Sequence, residues 1–245
     1  MVEYNAPIRD YDFLFNEMFD AIPIAQRLGY DFDSDFFSML TEGWADHTKE
    51  VWLPINQLGD REGLKFNDGN ISMPIEFKSA YNKSKEGGWL STACKPEHGG
   101  MGVPVFFQAV TWAEIGTSTN MAMSVLPALT LGVYDVLIEH GESSLVDYFA
   151  THLASGDWSG TMCLTEPHAG TDLGIISTKA VPQDDGTYRV TGTKIFITYG
   201  EHDMTENIVH LVLAKTPDAP EGTKGISLFL VPKFLPSDWK SGDLA

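Results

Sequence analysis

Apolar residues along the chain recur first at helical spacing and then, past residue 159, in alternation. Over 11–19, Phe13, Leu14 and Met18, with Phe15 or Phe19, fall on one helix face. Residues 22–27, around Pro23, add a further helical turn. Asp33 or Ser34 can cap a helix running toward Trp52, with Phe36, Phe37, Leu40, Trp44 and Val51 as its apolar positions. The stretch 54–70 carries Gly59, Gly63 and Gly69 and reads as loop. Ser72, two residues before Pro74, fits an N-cap, and Gly87-Gly88 ends that helix after about Lys85. Gly99, Gly100 and Gly102 imply a tight turn before a helix from about Pro104. Residues 105–117 and 121–140 read as long buried helices, and Ser143 or Ser144 starts a shorter one through Tyr148, Phe149 and Leu153.

From Ser159 the period changes to two. Strand candidates are 175–181, 187–191, 194–198, 208–214 and 225–231, with an Asp185-Gly186 hairpin turn between the first two and a polar loop over 217–224. A helical segment followed by a strand segment makes the chain a multidomain α+β protein divided at 1–157 and 158–245, near Gly156. The most apolar stretch, 121–138, contains Pro127, Gly132 and Asp135. These interruptions favour buried core over a membrane span.

Composition narrows the function. With 43% hydrophobic and 20% charged residues in 245, the chain is globular rather than disordered. A net charge of −18 argues against nucleic acid and against anionic lipid as partners. Half of that charge lies in residues 1–60, where 12 acidic residues face 3 basic ones, as on a solvated helix face. Cys94 and Cys163 fit no metal-ligand spacing and no disulfide framework. The start lacks the basic and apolar regions of a secretory signal, so a reducing cytoplasm is expected.

Two strings carry candidate chemistry. The first is MCLTEPHAGTD at 162–172. A short apolar lead runs into a loop where Pro167 fixes one φ and Gly170 allows positive φ or close approach. Hydroxyls and bare N–H groups there suit carbonyls, ring nitrogens or phosphate oxygens, although an ordinary turn closing a β-hairpin has the same residues. The second is KIFITYG at 194–200. As a strand it sets Phe196 and Thr198 on one face, where a ring and a hydroxyl can serve a flat heterocycle or simply form a cross-strand pair. Met121 and Met123 could line an apolar pocket or fill plain core. His98 sits among glycines with no paired acid or nucleophile nearby and reads as a loop residue.

The first string, as Thr165-Glu166-Pro167-x-Ala169-Gly170-Thr171-Asp172, resembles the signature of the acyl-CoA dehydrogenase family. The second resembles that family's Lys-x-[Trp/Phe]-Ile-[Thr/Ser]-x-Gly strand, with Tyr199 where Asn is usual. The run 96–102 and the linker 153–158 are similar to the family's as well, and the opening over 4–13 resembles its larger-subunit branch, typified by 3-methylmercaptopropionyl-CoA dehydrogenase. The resemblance implies an all-α N-terminal domain, a β-barrel middle domain and FAD as cofactor. By resemblance, the backbone of Met162 and Leu164 and the hydroxyl of Thr165 meet the flavin's pyrimidine edge. Gly170 and Thr171 face the pyrophosphate, and Thr171 the incoming thioester. Phe196 lies against the isoalloxazine, and Thr198 faces its N5 edge.

The family's general base is a Glu on a third, helical domain, and this chain ends at Ala245 just past the β segment. No catalytic residue and no metal ligand is therefore assigned here; Glu166 is expected to be structural. The implied reaction is α,β-dehydrogenation of an acyl-CoA to the trans-2-enoyl-CoA, with an electron-transfer flavoprotein as acceptor and a homo-oligomer as the working form. The 245 residues alone are expected to be an inactive fragment that binds FAD weakly. The alternatives are an acyl-CoA oxidase and a non-catalytic binding or assembly module.

Overall fold

A computed structural model describes residues 3–235, so the last ten residues of the expected second domain lie outside the described residues. Helices α1 (Ile8–Asp12), α2 (Ala21–Arg27) and α3 (Ser34–His47) come first. The Asp33 carboxylate accepts the Phe36 N–H at 2.7 Å, which selects Asp33 rather than Ser34 as the cap of α3. The helix does not stop at Trp52. It passes through a wide turn over Thr48–Trp52 into α4 (Leu53–Glu62), contrary to the loop expected there. Pro54 has no N–H to donate, and it sits where that turn shifts the hydrogen-bond register, so the helix absorbs it.

Asp68 and Gly69, both at positive φ, then turn a small antiparallel hairpin, β1 (Lys65–Asn67) and β2 (Asn70–Ser72). The N-terminal part is thus not purely α. Ser72 belongs to β2, and Pro74 rather than Ser72 precedes the first turn of α5 (Ile75–Glu86).

The helical run Val105–His140, comprising α6 (Val105–Phe107), a wide turn and α7 (Ala113–His140), is long and apolar enough to cross a membrane by composition. Its buried residues pack on protein instead. Pro127 and Gly132 do not break it; the break is at Asn120, at φ −159° and ψ 99°. Met123 is buried in core, whereas Met121 is exposed. α8 (Ser143–Ser155) ends at Gly156, whose φ of 77° reverses the chain.

Beyond Gly156 lie β3 (Trp158–Cys163), β4 (Lys179–Pro182), β5 (Tyr188–Thr191), β6 (Asn207–Lys215) and β7 (Ile226–Pro232). β6 is central. β3 pairs with it in parallel from Trp158↔Asn207 to Cys163↔Val212, and β7 in antiparallel fashion from Val209↔Pro232 to Lys215↔Ile226. β3 and β7 share partners on β6, so they occupy its opposite edges. β4 meets β6 at Lys179↔Lys215, on the edge that β3 has vacated.

One expectation is unmet among the described residues and another is overturned. No closed barrel is present among the described residues: the sheet curls enough to bring the Tyr188 and Phe229 rings to 5.0 Å, but β5 and β7 form no ladder. The segment 194–198 is also not a strand.

A second hydrophobic cluster welds helix to sheet, with Val133, Tyr134 and Leu137 of α7, Phe149 and Leu153 of α8, Trp158 of β3 and Val209 and Leu211 of β6. Its closest approach is Gly160 under Val133, where an added Cβ would lie 2.6 Å from the Val133 Cβ. Replacing Gly160 with Ala should therefore cost about 1–3 kcal/mol through overpacking. A lowered urea midpoint with unchanged slope checks this.

Candidate active site

The loop 164–178 leaves the sheet at the end of β3 and rejoins the same edge of β6 as β4. Its first turn is closed by the Glu166 N–H on the Ala169 carbonyl (2.8 Å) and the Ala169 N–H on the Glu166 carbonyl (3.1 Å), with Pro167 in the first corner position. The Glu166 carboxylate turns inward. It accepts the N–H groups of Ser177 (2.7 Å) and Thr178 (3.0 Å), both residues' hydroxyls, and the Lys194 ammonium at 2.9 Å. Glu166 is 2% exposed. Burial alone would raise its pKa. The Thr178 hydroxyl, the Ser177 N–H, Lys194 and the Ser177 hydroxyl outweigh that and hold the carboxyl well below the usual carboxylate range.

The same anchor draws the second string to the first. Lys194 also donates to the Leu164 carbonyl at 3.1 Å, and the Ile195 N–H donates to the Thr165 carbonyl at 2.9 Å. These tertiary bonds take the chain out of strand geometry. Phe196 has φ 57° and Tyr199 φ 53°, and a turn closes with the Gly200 N–H on the Ile197 carbonyl at 3.0 Å. Phe196 and Thr198 are neighbours on a turn rather than alternate positions on one strand face.

Met162 and Leu164 approach from β3. The Gly160 N–H bonds the Thr130 hydroxyl at 3.1 Å instead of entering the ladder with β6. Alternate strand residues present both backbone groups to the same edge, so Met162 offers N–H and carbonyl to the open edge of β3 and Leu164, by continuation, its N–H, the Leu164 carbonyl being taken by Lys194. Thr165 follows. Gly170 lies beside it, since an added Cβ would sit 4.0 Å from the Thr165 Cγ2, and its φ is not positive. Its bareness is a matter of exposure, not of strain. Thr171 is exposed next to Gly170 and joins the group through the chain alone. The structure thus brings Leu164 and Thr165 against Lys194 and Ile195, the residues that lead into Phe196 and Thr198, with Met162 and Gly170 adjoining along the chain and in space.

Phe196 is the anomaly. It is 89% exposed, although a large ring ordinarily prefers burial. It also occupies the left-handed region, which costs a non-glycine residue roughly 1–2 kcal/mol. Such strain persists only where the surroundings impose it, and it clusters at ligand sites.

Behind the turn lies a cavity of about 1100 Å³. Its walls include Gly59 of α4, Ile71 of β2, Phe77 of α5, Ala122 of α7, and Thr198 and Tyr199 of the turn. On its sheet side the Thr161 hydroxyl is 2.6 Å from His210 Nδ1, with Cys163 Sγ at 3.7 Å; burial pushes the Cys163 thiol up, away from nucleophilic use. His98 lies elsewhere, with Nδ1 2.7 Å from the Tyr134 hydroxyl.

Residues 199–204 escaped sequence reading as a fastening. The Tyr199 hydroxyl donates to the Ala122 carbonyl at 2.7 Å. Glu201 pairs with Lys233 at 2.5 Å, and Asp203 accepts the Met73 N–H at 2.9 Å and Lys78 at 2.6 Å. His202 accepts the Met204 N–H on Nδ1 at 3.1 Å, which leaves Nε2 to donate to the Ser159 hydroxyl at 3.0 Å. Burial lowers its pKa to about 4 and keeps it neutral. Met204 enters the helical core. The available signal was the density of titratable residues in 201–203, which no periodicity explains.

Residues 161–241 match the family model of the acyl-CoA dehydrogenase middle domain. The chain is similar to members of the acyl-CoA dehydrogenase family, a family of oxidoreductases. Among them, the chain is 43% identical over 233 residues to 3-methylmercaptopropionyl-CoA dehydrogenase of Ruegeria pomeroyi, covering 95% of this chain and 40% of that protein. It is 35% identical over 244 residues to the broad-specificity linear acyl-CoA dehydrogenase FadE5 of Mycobacterium tuberculosis, covering 96% and 39%. Among solved structures, the acyl-CoA dehydrogenase of Geobacillus kaustophilus matches with a TM-score of 0.67 at 25% identity, over 84% of this chain and 50% of that one. The chain spans about 40% of the length of these curated relatives.

Replacing Glu166 with Gln should lower stability by about 3–5 kcal/mol, because Lys194 is left buried without its counter-charge. The depressed pKa of Glu166 places its stabilisation above its unfolded value of 4.5, to be lost as pH falls below it. Acid titration of the variant, followed by circular dichroism, should show that part of the acid limb missing.

Proposed function

We propose that this chain supplies the flavin-orienting half of an enzyme that dehydrogenates an acyl-CoA thioester to the trans-2-enoyl-CoA, with FAD as cofactor and an electron-transfer flavoprotein as acceptor. The single observation that carries this reading is Phe196, strained and exposed, on a turn that Lys194 and Ile195 tie to Leu164 and Thr165 at the end of β3. A flavin's pyrimidine ring alternates carbonyl oxygens with an N–H, and the Met162 N–H, the Met162 carbonyl and the Leu164 N–H offer the complementary alternation. The Phe196 ring is an apolar platform for the fused rings, and the Thr198 hydroxyl is a donor for the ring edge. Exposed N–H groups around Gly170 and the Thr171 hydroxyl suit a pyrophosphate.

When bound, FAD accepts the substrate's β-hydrogen as hydride. The residues present here orient the ring and shape the space beside it; the base that takes the α-proton is not assigned to any of them. Thr198 belongs both to the ring-binding turn and to the cavity wall, so we assign the acyl chain to that cavity. The division at 1–157 and 158–245, with the curled sheet as part of a β-barrel middle domain, belongs to the same proposal, as does a cytoplasmic location.

Two variants of the full-length protein test this reading. Phe196→Gly removes the ring and the left-handed strain together, so thermal stability should hold or rise by roughly 1 kcal/mol while FAD is lost on gel filtration. Unchanged flavin content would overturn the assignment. Thr198→Val should keep the fold and slow flavin reduction by acyl-CoA about tenfold, the loss of one hydrogen bond of roughly 1.4 kcal/mol. Stopped-flow absorbance near the flavin band reads this directly.

A further inference from the structure

Tyr199 is the one residue of the 194–200 string that departs from the resembling pattern, and it spans the cavity between two walls. Its backbone is held at φ 53°, a conformation that asparagine tolerates and an aromatic residue does not favour. Its hydroxyl reaches the Ala122 carbonyl at 2.7 Å. Burial pushes the phenol up to about 12, so it stays a donor at neutral pH.

The receiving end is as unusual as the donor. Ala122 follows the break at Asn120, whose buried side chain donates to the Trp52 carbonyl at 3.1 Å and accepts the Met123 N–H at 3.2 Å. Those two bonds re-cap the helix after the break and set Ala122 in the cavity wall. Asn120, Ala122, Thr198 and Tyr199 all line that cavity. One hydroxyl therefore joins the turn that carries Phe196 and Thr198 to the restart of α7. An asparagine in place of Tyr199 is too short to make the bond.

We propose that Tyr199 is a positioning residue: a strut that fixes the distance between the Phe196–Thr198 turn and the restart of α7, so that cavity occupant and flavin are held in register. The flavin part rests on the function proposed above; the strut itself does not.

The test uses two variants of the full-length protein, Tyr199→Phe and Tyr199→Asn. Phe keeps the ring and the strain and removes only the hydroxyl; Asn also relieves the strain. Amide hydrogen exchange should quicken about threefold or more, in both variants, at residues 119–124 and 195–201 together, with the remainder of α7 unchanged. FAD affinity, read by flavin fluorescence quenching, should weaken about tenfold in both. The visible circular dichroism of bound FAD should also lose its response to an added saturated acyl-CoA.

Faster exchange in only one of the two segments, or in neither, overturns the strut. If Tyr199→Phe fails to fold, Tyr199→Asn, relieved of strain, carries the same comparison. Should the unsubstituted protein bind no FAD, the proposed function fails while the exchange result still decides the strut. Coupled exchange with unchanged FAD affinity and an unchanged dichroism response overturns the positioning role.

Discussion

The buried carboxylate of Glu166 is the constraint on which the site depends. An ionised group that is 2% exposed survives only with every lone pair engaged, and here two N–H groups, two hydroxyls and one ammonium engage them. Those donors come from Ser177 and Thr178 at the far end of the loop 164–178 and from Lys194. One side chain thus closes the gap between β3 and β4 and pulls the segment 194–200 against Thr165. Without that anchor nothing would hold Phe196 in a left-handed conformation in open solvent.

A second set of ties joins sheet to helices. Asp203 reaches the β2–α5 junction, His202 reaches β3, Met204 enters the helical core and Tyr199 reaches α7. Together with Gly160 under Val133, they make the cavity wall out of two structural layers rather than one. A ligand lodged there would meet both layers at once.

Most helices were legible because their apolar spacing reports directly which face is buried. Asp33 announced a helix start and Gly156 a helix end, each by local chemistry that tertiary contacts did not alter. Pro54 misled in the other direction, whereas Pro127 was read inside a helix and lies inside one. Proline removes a local hydrogen bond, but whether the helix breaks depends on the packing around it, and both are accommodated inside helical runs. The hairpin over β1 and β2 was hidden among glycines that read as loop. On residue types alone the strings around Thr165 and Phe196 fitted a ring and phosphate site no better than a turn and a cross-strand pair; the resemblance favoured the site, and the structure brings the two strings together.

What sequence by itself determined is therefore most of the helices, the change of period near Gly156, and the two strings that hold candidate chemistry. Those properties are local or periodic, set by each residue and its near neighbours. Tertiary structure alone decided that 194–200 is a strained turn, that the described sheet is open rather than a closed barrel, and that Tyr199 meets Ala122. Such features rest on bonds between residues dozens of positions apart, such as Lys194 to Glu166 and Tyr199 to Ala122. A backbone conformation that is locally unfavourable exists only because those distant partners pull it there, and no window along the chain contains both ends of the pull.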